Sequence, residues 1–222
     1  MIFHDVEQNT DEWLGLRVGK ITGSAIGKIM AVPRKKTDCP TCDPTESELS
    51  KKFGKPAKKY AIQIALERIT NEAQGDNYSN GHMERGHEQE PLARKAYEDE
   101  YFCDVSNGGF FDCGSEGCSP DGLVYDDGLI EIKSVIYSVH YETVERNNID
   151  PSHKWQLYFN LQKTGREYID FVSYCHDYPK GKKLFVHRLN AIDLVEVFDK
   201  MDARLKEFEV LVAETTNNIE AL

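Results

Sequence analysis

Along the 222 residues the spacing of apolar positions changes several times, and each change marks an element. Thr22, Gly23, Ser24, Ala25 and Ile26, followed by Ile29 and Met30, have the form of an N-cap opening a short helix. That leaves backbone N–H groups unpaired near Ser24, an arrangement that suits a phosphate. Residues 33–55 mix Pro, Thr, Asp, Ser and Lys without a period, which predicts a long mobile loop before a helix beginning near Pro56. Over 57–73, Ile62, Ala65, Leu66 and Ile69 recur at helical spacing and predict one buried face. Residues 83–100 predict a helix interrupted or restarted at Pro91, with Leu92, Ala93, Ala96 and Tyr97 on its apolar side.

Shorter runs follow. Phe110 and Phe111 sit in one β-like run, 123–125 form another and 129–135 a third, with Asp127-Gly128 as a hairpin turn between the last two. A helix is expected over 154–163, then strands at 168–174 and 184–189. In the final helix, from Ala191, a stripe of Leu194, Phe198, Met201, Leu205, Phe208 and Val212 reads as core or subunit contact. This order predicts an α/β fold with a mixed sheet flanked by helices, in one domain spanning 1–222.

Composition narrows the classes. The N-terminus carries charges instead of an apolar run, and no stretch approaches the roughly 18 apolar residues of a membrane span. A cytoplasmic protein with no membrane partner is expected. Six cysteines are too few for a disulfide-stapled secreted domain, so thiols are the default. A net charge of −11 argues against coating nucleic acid by bulk attraction. The charge is uneven, however: 11 Lys or Arg face 4 Asp or Glu over 17–59, against 3 and 8 over 190–222. That pattern fits either a solvated loop and helix face or a basic lip around a groove for an anionic polymer.

The chemistry concentrates in Ser119-Pro120-Asp121-Gly122 and Glu131-Ile132-Lys133. In a strand, Glu131 and Lys133 share one side while Ile130 and Ile132 take the other, and the hairpin returns Asp121 towards them. Carboxylate oxygens suit Mg²⁺, which would acidify a bound water and neutralise charge growing on a phosphate. Lys133 either orients that water or, with a lowered pKa, takes its proton. The helix bearing Glu84, Glu88 and Glu90 is the source of a third carboxylate.

With these motifs the chain resembles the lambda-exonuclease-like, YqaJ-type viral recombinases of the PD-(D/E)xK nuclease superfamily. The resemblance runs from Glu12-Trp13 to about Tyr174. It includes Trp13 to Arg17 as Trp-x-x-x-Arg, Ile21-Thr22-Gly23-Ser24, the helix motif on Gly86, Glu90, Ala93 and Arg94, the two catalytic segments, and Gln156. It implies a restriction-endonuclease-like core and selects Glu90 from its acidic neighbours. By resemblance, Glu90, Asp121, Glu131 and the Ile132 carbonyl hold one or two Mg²⁺ ions, with Mn²⁺ as a substitute, and Lys133 stands at the water. Arg17, Ser24, Ser119 and Gln156 form the pocket for a terminal 5′-phosphate, with the chemistry of an anion site.

The implied activity is 5′→3′ degradation of one strand of linear double-stranded DNA to mononucleotides, leaving a 3′ single strand for phage-type recombination. The implied assembly is a homotrimeric ring around DNA, with a single-strand annealing protein as partner, in the bacterial or phage-infected cytoplasm. An endonuclease of the same superfamily, or a non-catalytic DNA-end-binding module, is the alternative. Cys39 and Cys42 have zinc-knuckle spacing that Cys113 and Cys118 would have to complete. His82, His87, His140, His153, His176 and His187 form no ligand pair on a shared helix face. Trp155, Tyr158 and Phe159 fit core packing better than base stacking.

Overall fold

The computed structural model describes residues 1–33, 47–74 and 81–222, the side chains of 81–87 excepted. Most of the expected loop, Cys39 and Cys42, and the side chains of His82, Glu84, Gly86 and His87 therefore lie outside the described residues. The chain opens with β1 (Ile2–His4), α1 (Asp11–Arg17), β2 (Ile21–Thr22) and α2 (Ile26–Met30). Two long helices follow, α3 (Lys55–Thr70) and α4 (Gly81–Tyr101). Then come β3 (Val105–Asn107), β4 (Phe110–Asp112), β5 (Glu116–Cys118), β6 (Gly122–Val124) and β7 (Gly128–Ser134). The rest comprises α5 (Tyr137–Arg146), α6 (Lys154–Thr164), β8 (Tyr168–Tyr174), β9 (Leu184–Asn190) and α7 (Val195–Glu220).

The expected mixed sheet is present, with strand order β3-β6-β7-β8-β9, and β7 and β8 are its parallel pair. A second mixed sheet, β1-β4-β5-β2, stands beside it. Strand β7 is buried on both faces. Ile130 and Ile132 pack with Ala93 and Tyr97 of α4, whereas Leu129 joins the larger core built with Leu157 and Phe159 of α6 and Phe208 of α7. Glu131 is fully buried in this strand, so the chemistry is set inside the scaffold.

Three local expectations change. On α3 the buried face is Ala57, Tyr60, Ala61, Ile64 and Ala65, while Ile62 and Ile69 are exposed. Small side chains let α3 lie close to α7, and Tyr60 stacks on Phe208 there with ring centroids 5.8 Å apart. Helix α4 runs through Pro91 without restarting; burial of Ala93 and Tyr97 against β7 and β8 offsets the N–H that Pro91 cannot supply. The turn between β6 and β7 is carried by Tyr125 in the left-handed region (φ 49°), not by Gly128. Gly128 is inside β7, where a Cβ would meet the Tyr168 ring at 2.2 Å.

The uneven charge is partly internal. Lys52 of the basic segment pairs with Glu207 of the acidic one at 2.6 Å, and Arg68, just beyond the basic segment, pairs with Glu209 at 2.9 Å. Among the described residues no helix is long and apolar enough to cross a membrane.

Candidate active site

The β6–β7 hairpin delivers two of the carboxylates. Asp121 precedes β6, donates its backbone N–H to the Ile130 carbonyl at 3.1 Å, and through Oδ2 accepts the Ile132 N–H at 2.6 Å. Across the ladder, Glu131 projects towards α6. Its Oε1 receives Lys133 Nζ at 2.7 Å and the Gln156 amide, and its Oε2 receives Asn160 Nδ2 at 3.0 Å. A buried carboxylate with three donors is held in one orientation.

Glu90 arrives on α4. Arg94, one turn on, lies 3.8 Å from the Glu90 carboxylate and also donates to the Asp121 carbonyl at 2.5 Å, so it ties the helix to the hairpin. Burial followed by the Asp121 charge raises both Glu90 and Glu131, each to about 7, against the opposing pull of Arg94 and then Lys133 on Glu90 and of Lys133 on Glu131. Burial pulls Lys133 down, but Glu131, Asp121 and Glu90 outweigh it and its pKa ends above the ordinary value. Of the two expected roles, the surroundings therefore favour an ammonium that orients, not an amine that takes a proton. His153, at the start of α6, is pushed down to about 4 by burial and by Lys133.

Among the described residues, no group of three or more His, Cys, Asp or Glu side chains stands close enough together to hold a metal ion. Lys133, Gln156 and Asn160 hydrogen-bond both oxygens of Glu131, and the Ile132 N–H bonds one oxygen of Asp121. The donor set still fits a hard divalent cation: burial and then the neighbouring carboxylates raise the proton affinity of Glu90 and Glu131, and a second positive charge would relieve that. The Ile132 carbonyl lies between Glu131 and Lys133 on the same strand.

The expected phosphate pocket is brought only partly together. Arg17 lies over the Trp13 ring, its Cζ 4.0 Å from the centroid, and Trp13 Nε1 donates to Ser119 Oγ at 2.7 Å. Trp13 thus joins two of the four residues across 106 positions. Ser24 is exposed in a short 3₁₀ turn, Gly23–Ala25, whose Gly23 abuts Gln156 and Asn160 of α6. Gln156 itself hydrogen-bonds Glu131. Arg17 lines a cavity of about 430 Å³ with Lys20, Thr22, Tyr60 and Glu67, whereas Glu90 and Asp121 open into another of about 750 Å³ with Arg94 and Lys95.

Trp13 and Arg94 appeared in the motifs without a role, and Asn160 was missed altogether. A polar residue within the apolar run of α6, four positions after Gln156, was the available signal. Phe159 is buried and Trp155 and Tyr158 pack against the core, as expected. Cys113 and Cys118 are free thiols.

This arrangement, carboxylates and a lysine on a β-hairpin against a helix, sits in a fold shared with solved exonucleases. The alkaline exonuclease LHK-Exo from Laribacter hongkongensis is similar over 96% of this chain and 99% of its own, with 28% identity and a TM-score of 0.73. Its complex with dAMP matches equally well, at 29% identity and a TM-score of 0.72. A phage-related exonuclease from Haemophilus somnus 129PT shares the fold at 14% identity and a TM-score of 0.63, over 90% of this chain and 96% of its own. No curated protein matches. Residues 12–167 match the YqaJ-like viral recombinase domain, and the chain belongs to that family.

Proposed function

We propose that this protein is a metal-dependent exonuclease that degrades the 5′-terminated strand of linear double-stranded DNA to mononucleotides, leaving a 3′ single strand for recombination. The observation that carries the reading is the buried Glu131, gripped by Lys133, Gln156 and Asn160, whose pKa is raised to about 7 by burial first and then by the charges of Asp121 and Glu90. Glu90, Asp121, Glu131 and the Ile132 carbonyl would hold Mg²⁺, or Mn²⁺ in its place. When bound, the ion supplies an acidified water and neutralises charge on the phosphate. Lys133, held as an ammonium, orients the attacking water and a phosphate oxygen. Gln156 and Asn160 fix the Glu131 carboxylate, and Arg94 fixes Asp121 relative to Glu90.

One nucleotide from the bond that is cut, Arg17, Ser119 and Ser24 receive the terminal 5′-phosphate, with Trp13 as the platform that joins the first two. Carboxyls raised to about 7 must lose their protons to bind metal, so activity should increase towards alkaline pH. That trend accords with the similarity to an alkaline exonuclease. Family membership extends the proposal to a ring of three copies around the duplex and to a single-strand annealing partner.

The test compares linear with closed circular duplex, each with and without Mg²⁺, and linear ends bearing a 5′-phosphate or a 5′-hydroxyl. Metal-dependent nucleotide release from linear DNA, fastest with a 5′-phosphate, is expected. Equal cutting of circles would refute the exonuclease reading.

A further inference from the structure

We infer that Glu67 and Arg68, neighbours in the last turn of α3, are positioning residues for Arg17, acting through the peptide groups of Gly19. This rests on the reading of Arg17 as a phosphate-binding residue. Glu67 is 5% exposed. Its Oε2 accepts the Gly19 N–H at 2.9 Å, and its Oε1 accepts Gln63 Nε2 at 2.9 Å and the Gln74 N–H at 3.1 Å. Arg68 Nε donates to the Gly19 carbonyl at 2.8 Å, and its other two nitrogens reach Glu209 on α7 at 2.9 and 3.0 Å. Both backbone polar groups of Gly19, one in each of its two peptide units, are therefore gripped by consecutive side chains.

The chemistry at this point is specific. A carboxylate near a helix C-terminus faces the unfavourable end of the helix dipole, and burial adds to the cost. Something must require it, and the three N–H donors do so. They are spread over both oxygens, so a glutamine would turn its NH₂ towards a donor. Gly19 has φ +70°, and a Cβ there would come within 2.9 Å of Arg68 Cγ. The turn is fixed from outside as well as by its own conformation. It leads from α1 into β2, with the Lys20 N–H returning to the Arg17 carbonyl at 3.1 Å. The direction of Arg17 at the end of α1 is thereby set from α3, and Arg17 and Glu67 line the same cavity of about 430 Å³.

The two clamp residues carry opposite charges, which gives the test its power. Glu67→Gln and Arg68→Gln are compared on linear duplexes with a 5′-phosphate or a 5′-hydroxyl, alone and combined with Arg17→Ala. A clamp predicts that both variants raise KM for the 5′-phosphorylated end by about tenfold, with kcat little changed. It also predicts no effect on the 5′-hydroxyl end, and no further effect once Arg17 is gone. KM shifts in opposite directions would reveal a through-space charge effect and overturn the inference. Equal losses on both ends, or no change, would overturn it too. If Glu67→Gln does not fold, the part-exposed Arg68→Gln carries the comparison alone. Should Arg17→Ala itself leave end preference intact, the phosphate-pocket reading fails; if only the clamp variants are silent, the inference fails alone.

Discussion

The Asp121 carboxylate accepts the backbone N–H of Ile132 at 2.6 Å, so its position beside Glu131 is set by the strand itself. Asp121→Asn can keep that hydrogen bond through its remaining carbonyl oxygen while losing the charge. The fold should survive, and nucleotide release should fall by about 10³-fold or more with DNA binding retained. A time course of acid-soluble nucleotide beside a binding titration checks both parts. Near-wild-type release would remove Asp121 from the site.

Glu90 and Glu131 link metal binding to pH. Each rises from 4.5 to about 7 in the fold, so between these values the folded protein binds more protons than the unfolded chain. Stability from this source is present at low pH and is lost as pH rises through about 7. The metal-free wild type should therefore lose Tm relative to Glu131→Gln between about pH 5 and pH 8, and Mn²⁺ should reverse the loss. Metal affinity should increase over the same window with proton release, read by calorimetry in two buffers of different ionisation enthalpy. Affinity independent of pH would contradict the assignment.

Gln156 bonds the Glu131 carboxylate, and replacing it by a like charge should show in the pH profile. Gln156→Glu should move the acid limb of activity to higher pH, with release about tenfold lower at neutrality and largely recovered near pH 9. A uniform loss at every pH would assign Gln156 to substrate binding alone.

Away from the site, Tyr97 donates to the buried Asp170 at 2.6 Å, and Arg188 reaches both oxygens of that carboxylate at 2.8 Å. This fastens α4, and with it Glu90, to the sheet. Tyr97→Phe should cost about 1 to 2 kcal/mol in urea unfolding. An unchanged midpoint would show that Arg188 alone satisfies Asp170.

These residues also show what a sequence can reveal. Glu131, Lys133, Ile130 and Ile132 were legible because strand alternation separates them by face, and α6, β8, β9 and α7 were legible from their runs and stripes of apolar positions. On α3 the largest apolar residues misled, since Ala57, Ala61 and Ala65 make the close helix contact and Ile62 and Ile69 do not. Helix α5 was not anticipated, because it buries His140 and Thr143 and exposes Tyr137, Tyr141 and Val144. The bridge from Trp13 to Ser119 joins segments 106 positions apart, and no local period encodes such a pairing. The burial of Glu67 was likewise hidden, since its three N–H partners are two backbone amides and one side-chain amide that no motif marks.

The most direct test is a crystal of the protein soaked with Mn²⁺ and a 5′-phosphorylated duplex end, read by anomalous scattering. The account predicts an anomalous peak between Asp121 and Glu131 with Glu90 in reach, and the terminal phosphate at Arg17 and Ser119. A metal peak elsewhere, with these carboxylates unligated, would contradict it.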